Sequence, residues 1–250
     1  MNSPRRSPHT PRVRTVTLVA LIAIACGWAT APVAICGHPV ARQAVTAEPG
    51  VHPVSGRRIA SVMSHAGADW LDRPEREREE EPDRAVEALA LEPGAVVADL
   101  GAGSGYFTVR LARRVGPSGR VFAADIQPEM LSLLRARIAR EQLANVVLLQ
   151  SAENDPRLPA RSCDLILMVD VYHELAQPQV ILSKLLASLK PAGRLVLIEY
   201  RKEDPAVPIR PEHKMSVAEA RLELEASGFQ LDRVIDTLPR QHILIFHPAR

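Results

Sequence analysis

The chain has 250 residues, 46% of them hydrophobic and 24% charged, against globular norms of about 45–50% and 25%. That composition excludes a disordered chain, a collagen-like fibre and a disulfide scaffold, and the 21 prolines are scattered as punctuation. Lys+Arg 31 against Asp+Glu 29 gives a net charge of +2, which supplies no bulk electrostatic reason to expect a nucleic-acid partner.

The charge is unevenly placed. Residues 1–47 carry Arg5, Arg6, Arg12, Arg14 and Arg42 and no acid, so 31 less these five leaves 26 basic against 29 acidic side chains in residues 48–250. The basic character belongs to the leader. Within it Val16–Ala25 reads VTLVALIAIA, an apolar run behind four arginines and ahead of small residues, the pattern of a secretory signal. Cys26 stands where a lipoprotein signal would be lipidated. Read on to Ile35, the stretch reaches the roughly 20 residues of a membrane anchor, though Pro32 weakens its end. An organelle transit peptide and a misassigned start codon are the other readings. The expectation is an exported or membrane-anchored body, with possible membrane association through this leader, or a cytoplasmic one if the leader is not made. Beyond the leader only Cys163 remains, so the body forms no internal disulfide.

Residues 48–57, the end of a Pro- and Gly-rich stretch from Arg42, read as a linker, and 58–250 as one domain. From Arg58 to about Leu91 the pattern is helical, with Ile59, Val62 and Met63 on one apolar face. The charge run RPEREREEEPD (73–83) has Arg and Glu at helical spacings and reads as a solvated helix face. From Ala95 onward short apolar runs alternate with amphipathic stretches. The runs are Val96–Leu100, Val121–Ala124, Val146–Leu149, Leu165–Val169, Leu195–Ile198, Leu231–Val234 and Ile243–Phe246. Helical patterns over Gly105–Val115, Pro128–Gln142 and Pro178–Leu189 separate most of the first five, and another begins near Ser216 and ends at Ser227-Gly228. This alternation predicts an α/β domain with a doubly wound, mostly parallel seven-stranded sheet. The last two runs have no helix between them, so they pair antiparallel.

The chemistry concentrates at strand ends. Val96-Val97-Ala98-Asp99-Leu100-Gly101-Ala102-Gly103-Ser104-Gly105 places a glycine-rich turn between a strand and a helix, where ligand meets bare backbone and a helix N-terminus. The spacing is G-x-G-x-G, without the last glycine position of the dinucleotide fingerprint, and a carboxylate precedes the first glycine by two. Asp125 ends the second strand, 20 residues after Gly105. A carboxylate there accepts hydrogen bonds from both hydroxyls of a ribose.

Residues 96–105 with Asp125 resemble motifs one and two of the class I S-adenosylmethionine-dependent methyltransferases, and the strand pattern extends the resemblance over roughly 90–250. The resemblance implies a Rossmann-like fold and S-adenosylmethionine as cofactor. It implies Asp99 on the methionine amine, the backbone of Gly101, Ala102, Gly103 and Gly105 along methionine and ribose, Asp125 on the ribose and Ile126 on the adenine face. After the third strand Ser151 stands where the family often has Asp, so Glu153, or the backbone of Ala152, takes the adenine contact.

The fourth strand ends in Asp170-Val171-Tyr172-His173-Glu174, which looks like motif four of small-molecule methyltransferases and lacks the Asn/Asp-Pro-Pro-Tyr box of the amino-methylating nucleic-acid enzymes. Carboxyl ends of parallel strands face the ligand crevice, so Asp170, Tyr172 and His173 are the catalytic candidates. His173 is the candidate base; packing or helix capping is its alternative role. Glu199 and Tyr200 at the end of strand five, Trp70 as a lid, and His213 and Lys214 are weaker candidates. No His/Cys cluster has metal-ligand spacing and no Gly-x-Ser-x-Gly elbow occurs, so no metal is expected and hydrolase readings fail. The function expected is methyl transfer to a small molecule or lipid, with no nucleic-acid or protein partner. A nicotinamide-dependent reductase and a non-catalytic cofactor-binding domain at a membrane are the alternatives.

Overall fold

The computed structural model describes residues 50–249. The leader, with its signal, lipoprotein and anchor readings, lies outside them. Among the described residues no helix is long and apolar enough to cross a membrane.

In chain order the elements are α1 (Ala68–Leu71), α2 (Arg76–Glu80), α3 (Pro82–Ala88), β1 (Val96–Leu100), α4 (Tyr106–Val115), β2 (Arg120–Asp125), α5 (Pro128–Arg140), β3 (Val146–Gln150) and β4 (Cys163–Val169). Next come α6 (Pro178–Ser188), β5 (Leu189–Arg201), β6 (Lys214–Met215), α7 (Val217–Glu225), β7 (Phe229–Ile235) and β8 (Gln241–Pro248). Short 3₁₀ turns cover His65–Gly67, Tyr172–Glu174 and Pro211–His213. Local chemistry marks the boundaries. Pro128 and Pro178 open α5 and α6, where a missing N–H costs nothing. Ser216 and Glu219 form a reciprocal capping box at α7.

The sheet runs β3-β2-β1-β4-β5-β8-β7, with β6 beside β5. Pairing is parallel from β3 to β5 and antiparallel at β5–β8 and β7–β8, as the sequence pattern predicts. Strand residues alternate between faces. Val97, Leu165, Leu167 and Val196 pack with Val86 and Leu111 beneath α3 and α4. Ala98, Ile166, Met168 and Leu197 pack with Leu185 and Leu224 of α6 and α7 on the other face. Because both faces are covered there, the central strands are mostly apolar. The strand order reverses between β1 and β4, and such a switch point opens a crevice at the carboxyl ends.

The N-terminal part departs from the sequence reading. Residues 59–64 are not helical, and Pro74 and Pro82 divide the charged stretch beyond them into short pieces. The amide of Ala60 instead donates to the carbonyl of His173 at 3.0 Å, so this stretch is a strap across the domain. The described part of the expected linker is packed as well: His52 and Arg57 are buried. The charge run is not a wholly solvated face. Arg76 and Glu80 point inward and pair at 2.7 Å, while Glu75, Glu77 and Arg78 face water. An i,i+4 pair of opposite charge neutralises itself, which lets a run this polar turn one edge to the interior.

Candidate active site

A cavity of about 710 Å³ lies over the carboxyl ends of β1, β2 and β4, within the usual range of roughly 300–1,000 Å³ for small-molecule sites. Its floor is the glycine turn. Gly101, Gly103 and Gly105 all have positive φ (75°, 54° and 89°), the left-handed region that favours glycine. A Cβ on Gly101 would strike the Val171 side chain, and one on Gly105 would strike Leu134. Gly101 and Gly103 line the cavity; Ala102 and Gly105 do not, because they turn inward under α5 and onto the start of α4.

Asp125 is buried at the cavity wall. Its Oδ2 accepts from the Gly103 amide at 2.8 Å and its Oδ1 from the Gln127 amide at 2.9 Å. Burial raises its proton affinity and the backbone donors oppose that. Each oxygen keeps lone-pair capacity for a ligand. Ile126, 38% exposed, with Ala152 and Glu153, lines the same end. Gln127 ties the strap over this end, accepting from the His65 amide at 2.8 Å and donating to the Met63 carbonyl at 2.9 Å.

Asp99 does not reach the cavity. Alternation along β1 puts it on the face of Val97, beneath α4, where Thr108 Oγ1 donates to its Oδ2 at 2.5 Å. Burial lifts its carboxyl to about 6, against the pull of the Thr108 bond. The carboxylate that does meet the cavity on this side is Asp170. It sits at φ 53° just after β4, its Oδ2 accepts from Gln241 Nε2 at 2.7 Å, and its Oδ1 has no partner among the described residues. Burial, with Glu80 and Glu199 nearby, holds its carboxyl well above the ordinary range.

Arg76 lines the cavity too, its guanidinium 4.3 Å from the centre of the Tyr106 ring. Sequence reasoning missed it, since only the interior direction of Arg76 and Glu80 separates them from their solvated neighbours. Trp70 lines the mouth, 43% exposed, with Arg73 stacked 3.8 Å over its ring.

On the opposite wall His173 is held by Glu199. Nδ1 stands 2.6 Å from Glu199 Oε2, and Glu199 Oε1 accepts from the Tyr172 amide at 2.9 Å. Burial alone would lower the His173 pKa, but Glu199, aided by Asp170 and Glu174, raises it. Glu199 therefore positions His173 from outside the cavity. Tyr172 is a correction: its ring is buried away from the cavity, its hydroxyl 3.3 Å from His52 Nε2. Along the 3₁₀ turn His173 and Glu174 face the cavity, whereas Tyr172 faces the strap.

His213, brought in by the turn before β6, places Nδ1 3.1 Å from His173 Nε2. Lys214 turns off to the Asp204 carbonyl at 3.1 Å. Tyr200 lines the cavity and donates to Glu80 at 2.8 Å. His173, Glu174 and His213 together bring potential metal-ligating atoms within 4.8 Å of one another. The sequence spacing shows no such set, because His213 lies 40 residues from His173.

A family model described as methyltransferase domain matches residues 91–234. Among curated proteins, the ubiquinone/menaquinone biosynthesis C-methyltransferase UbiE of Saccharophagus degradans is 30% identical over 123 residues, 49% of each chain. Its counterpart in Hydrogenovibrio crunogenus is 32% identical over 119 residues, 47% of each. The chain spans about half the length of the curated relatives it matches. Among solved structures, a SAM-dependent methyltransferase from Aquifex aeolicus has a TM-score of 0.70 at 30% identity, covering 74% of this chain and 98% of that one.

Proposed function

This chain belongs to the methyltransferase domain family, and we propose that it is an S-adenosylmethionine-dependent methyltransferase acting on a small-molecule acceptor held against His173. The observation that carries this is one cavity with bare glycine backbone and Asp125 on one wall and His173, held from behind by Glu199, on the other. The nicotinamide reading gives way to the family.

The residues present suit the cofactor. Asp125 has acceptor capacity for two ribose hydroxyls, and Ile126 offers an apolar face to adenine, with Glu153 or the Ala152 backbone at its edge. Asp170 Oδ1, without a partner among the described residues, suits an ammonium, and Arg76 a carboxylate. Asp99 acts at one remove, through the turn it supports. S-adenosylmethionine supplies a methyl group already activated on a sulfonium. The protein's work is then to align the reactants, worth about 7–11 kcal/mol, and to keep water out. Trp70 and the strap residues Val62 and Met63 cover the mouth for that purpose.

An acceptor in the remaining space meets His173, Glu174 and His213 along with apolar Leu175 and Ile209. This favours a small, partly apolar compound with an ionisable group. The relatives' names describe enzymes of quinone biosynthesis, which agrees with such a class. The test is to follow S-adenosylhomocysteine release with a panel of phenolic, quinol and enolic compounds and with a lipid extract. Turnover of at least one small compound is expected, and His173→Ala should reduce it about 100-fold or more with cofactor affinity retained. Turnover confined to the lipid fraction, or unaffected by His173→Ala, would contradict the proposal.

A further inference from the structure

We propose that His173, Glu174 and His213 form a binding site for a divalent transition-metal ion of the zinc type, open to the cavity on one side. The inference stands on the geometry of these side chains, independently of methyl transfer. His173 Nε2 lies 3.1 Å from His213 Nδ1, and Glu174 Oε1 lies 3.9 Å and 3.8 Å from these two atoms. Tetrahedral donors about 2.0–2.2 Å from a zinc ion stand roughly 3.3–3.6 Å from one another. A small rotation of the Glu174 carboxylate closes the difference.

The supporting groups are those a metal site needs. Glu199 engages His173 Nδ1 at 2.6 Å, so a neutral imidazole carries its proton there and turns the Nε2 lone pair toward His213. The His173 carbonyl is fixed by the Ala60 amide at 3.0 Å and by Arg57 Nη1 at 3.1 Å, which ties the turn bearing two of the ligands to the strap. His213 is carried on the turn leading into β6, and β6 is paired to β5 at Tyr200 and Arg201. Two imidazole nitrogens 3.1 Å apart require a proton or a cation between them.

Two histidines and one carboxylate, with the fourth position open, is the arrangement of catalytic rather than structural zinc. All three ligands line the cavity, so the open position faces the space left for the acceptor. It would take an oxygen donor from that compound, or water in its absence. Imidazole and carboxylate also accept cobalt, which makes a spectroscopic probe available.

The test uses the full chain, purified without a histidine tag and stripped with a chelator. Zinc chloride is titrated by calorimetry, and cobalt is followed by its visible absorption. One equivalent of zinc per chain and the intense bands of four-coordinate cobalt are expected. His213→Ala, whose side chain is 28% exposed, and Glu174→Gln should each weaken zinc at least tenfold. S-adenosylmethionine titrated into the same samples reports that each variant is folded. No zinc binding by the wild-type chain, or equal affinity in His213→Ala, would overturn the metal site. Retained cofactor binding in those samples would leave the methyltransferase reading untouched.

Discussion

Two aspartates at neighbouring strand ends have different fates, decided by which face of the sheet each occupies. Asp125 ends β2 in the cavity wall with two backbone donors; Asp99, one residue before the end of β1, lies under α4 with Thr108 as partner. The motif containing Asp99 is legible in the sequence, but its direct contact with a ligand is not. Alternation already groups it with Val97 rather than with Leu100. Asp99 has its own pH signature. Its folded pKa, about 6, exceeds the ordinary value of 3.8, so between these values the folded state holds a proton that the unfolded chain releases. Stability from this group is therefore greatest below that window and declines as pH rises through about 6. Urea denaturation of Asp99→Asn at several pH values should show a flatter profile across the window. A slope equal to the wild type's would contradict the assignment.

At the scale of elements, the strap and the short helices before β1 are where sequence reading failed. Its apolar residues 59, 62 and 63 suit a helix face, yet the segment crosses the domain and closes the cavity. Local spacing cannot report a contact with a residue more than a hundred positions later. The buried ion pair that fastens the strap was equally hidden. Arg57 Nε and Nη2 meet Glu223 of α7 at 3.0 and 3.1 Å. Removing one member of such a pair leaves an uncompensated buried charge, so Arg57→Ala should cost about 3–5 kcal/mol in chemical denaturation. A loss under about 1 kcal/mol, the usual worth of a surface pair, would show that the strap does not rest on it. Trp70 makes the opposite prediction. It is 43% exposed, so Trp70→Ala should leave the melting temperature nearly unchanged while weakening ligand affinity severalfold, measured by thermal denaturation and calorimetry. Unchanged affinity would remove its role as a cover.

Across the whole molecule, the order of elements from β1 onward was readable because the central apolar runs are strands buried on both faces, and most of the stretches between the parallel strands show a helical stripe. The antiparallel end came from the absence of a helix between residues 236 and 240. Two-residue β6 was not readable, since a strand that short carries no period, and with it went the arrival of His213 beside His173. The half of the site built from local motif, Gly101, Gly103, Asp125 and Ile126, was visible in the sequence. The half assembled by tertiary contact, Arg76, His213 and the Glu199–His173 pair, needed the fold to bring it together.

In the proposed function both halves serve a cofactor that bridges β1, β2 and β4, and Asp125 is the side chain on which that placement turns. Calorimetric titration of S-adenosylmethionine into the wild-type chain and into Asp125→Ala measures it directly. Loss of hydrogen bonds to a charged acceptor, about 1.5–3 kcal/mol each, predicts one-to-one binding by the wild type and affinity at least tenfold weaker in the variant. Equal affinity in the two proteins would place the cofactor somewhere else.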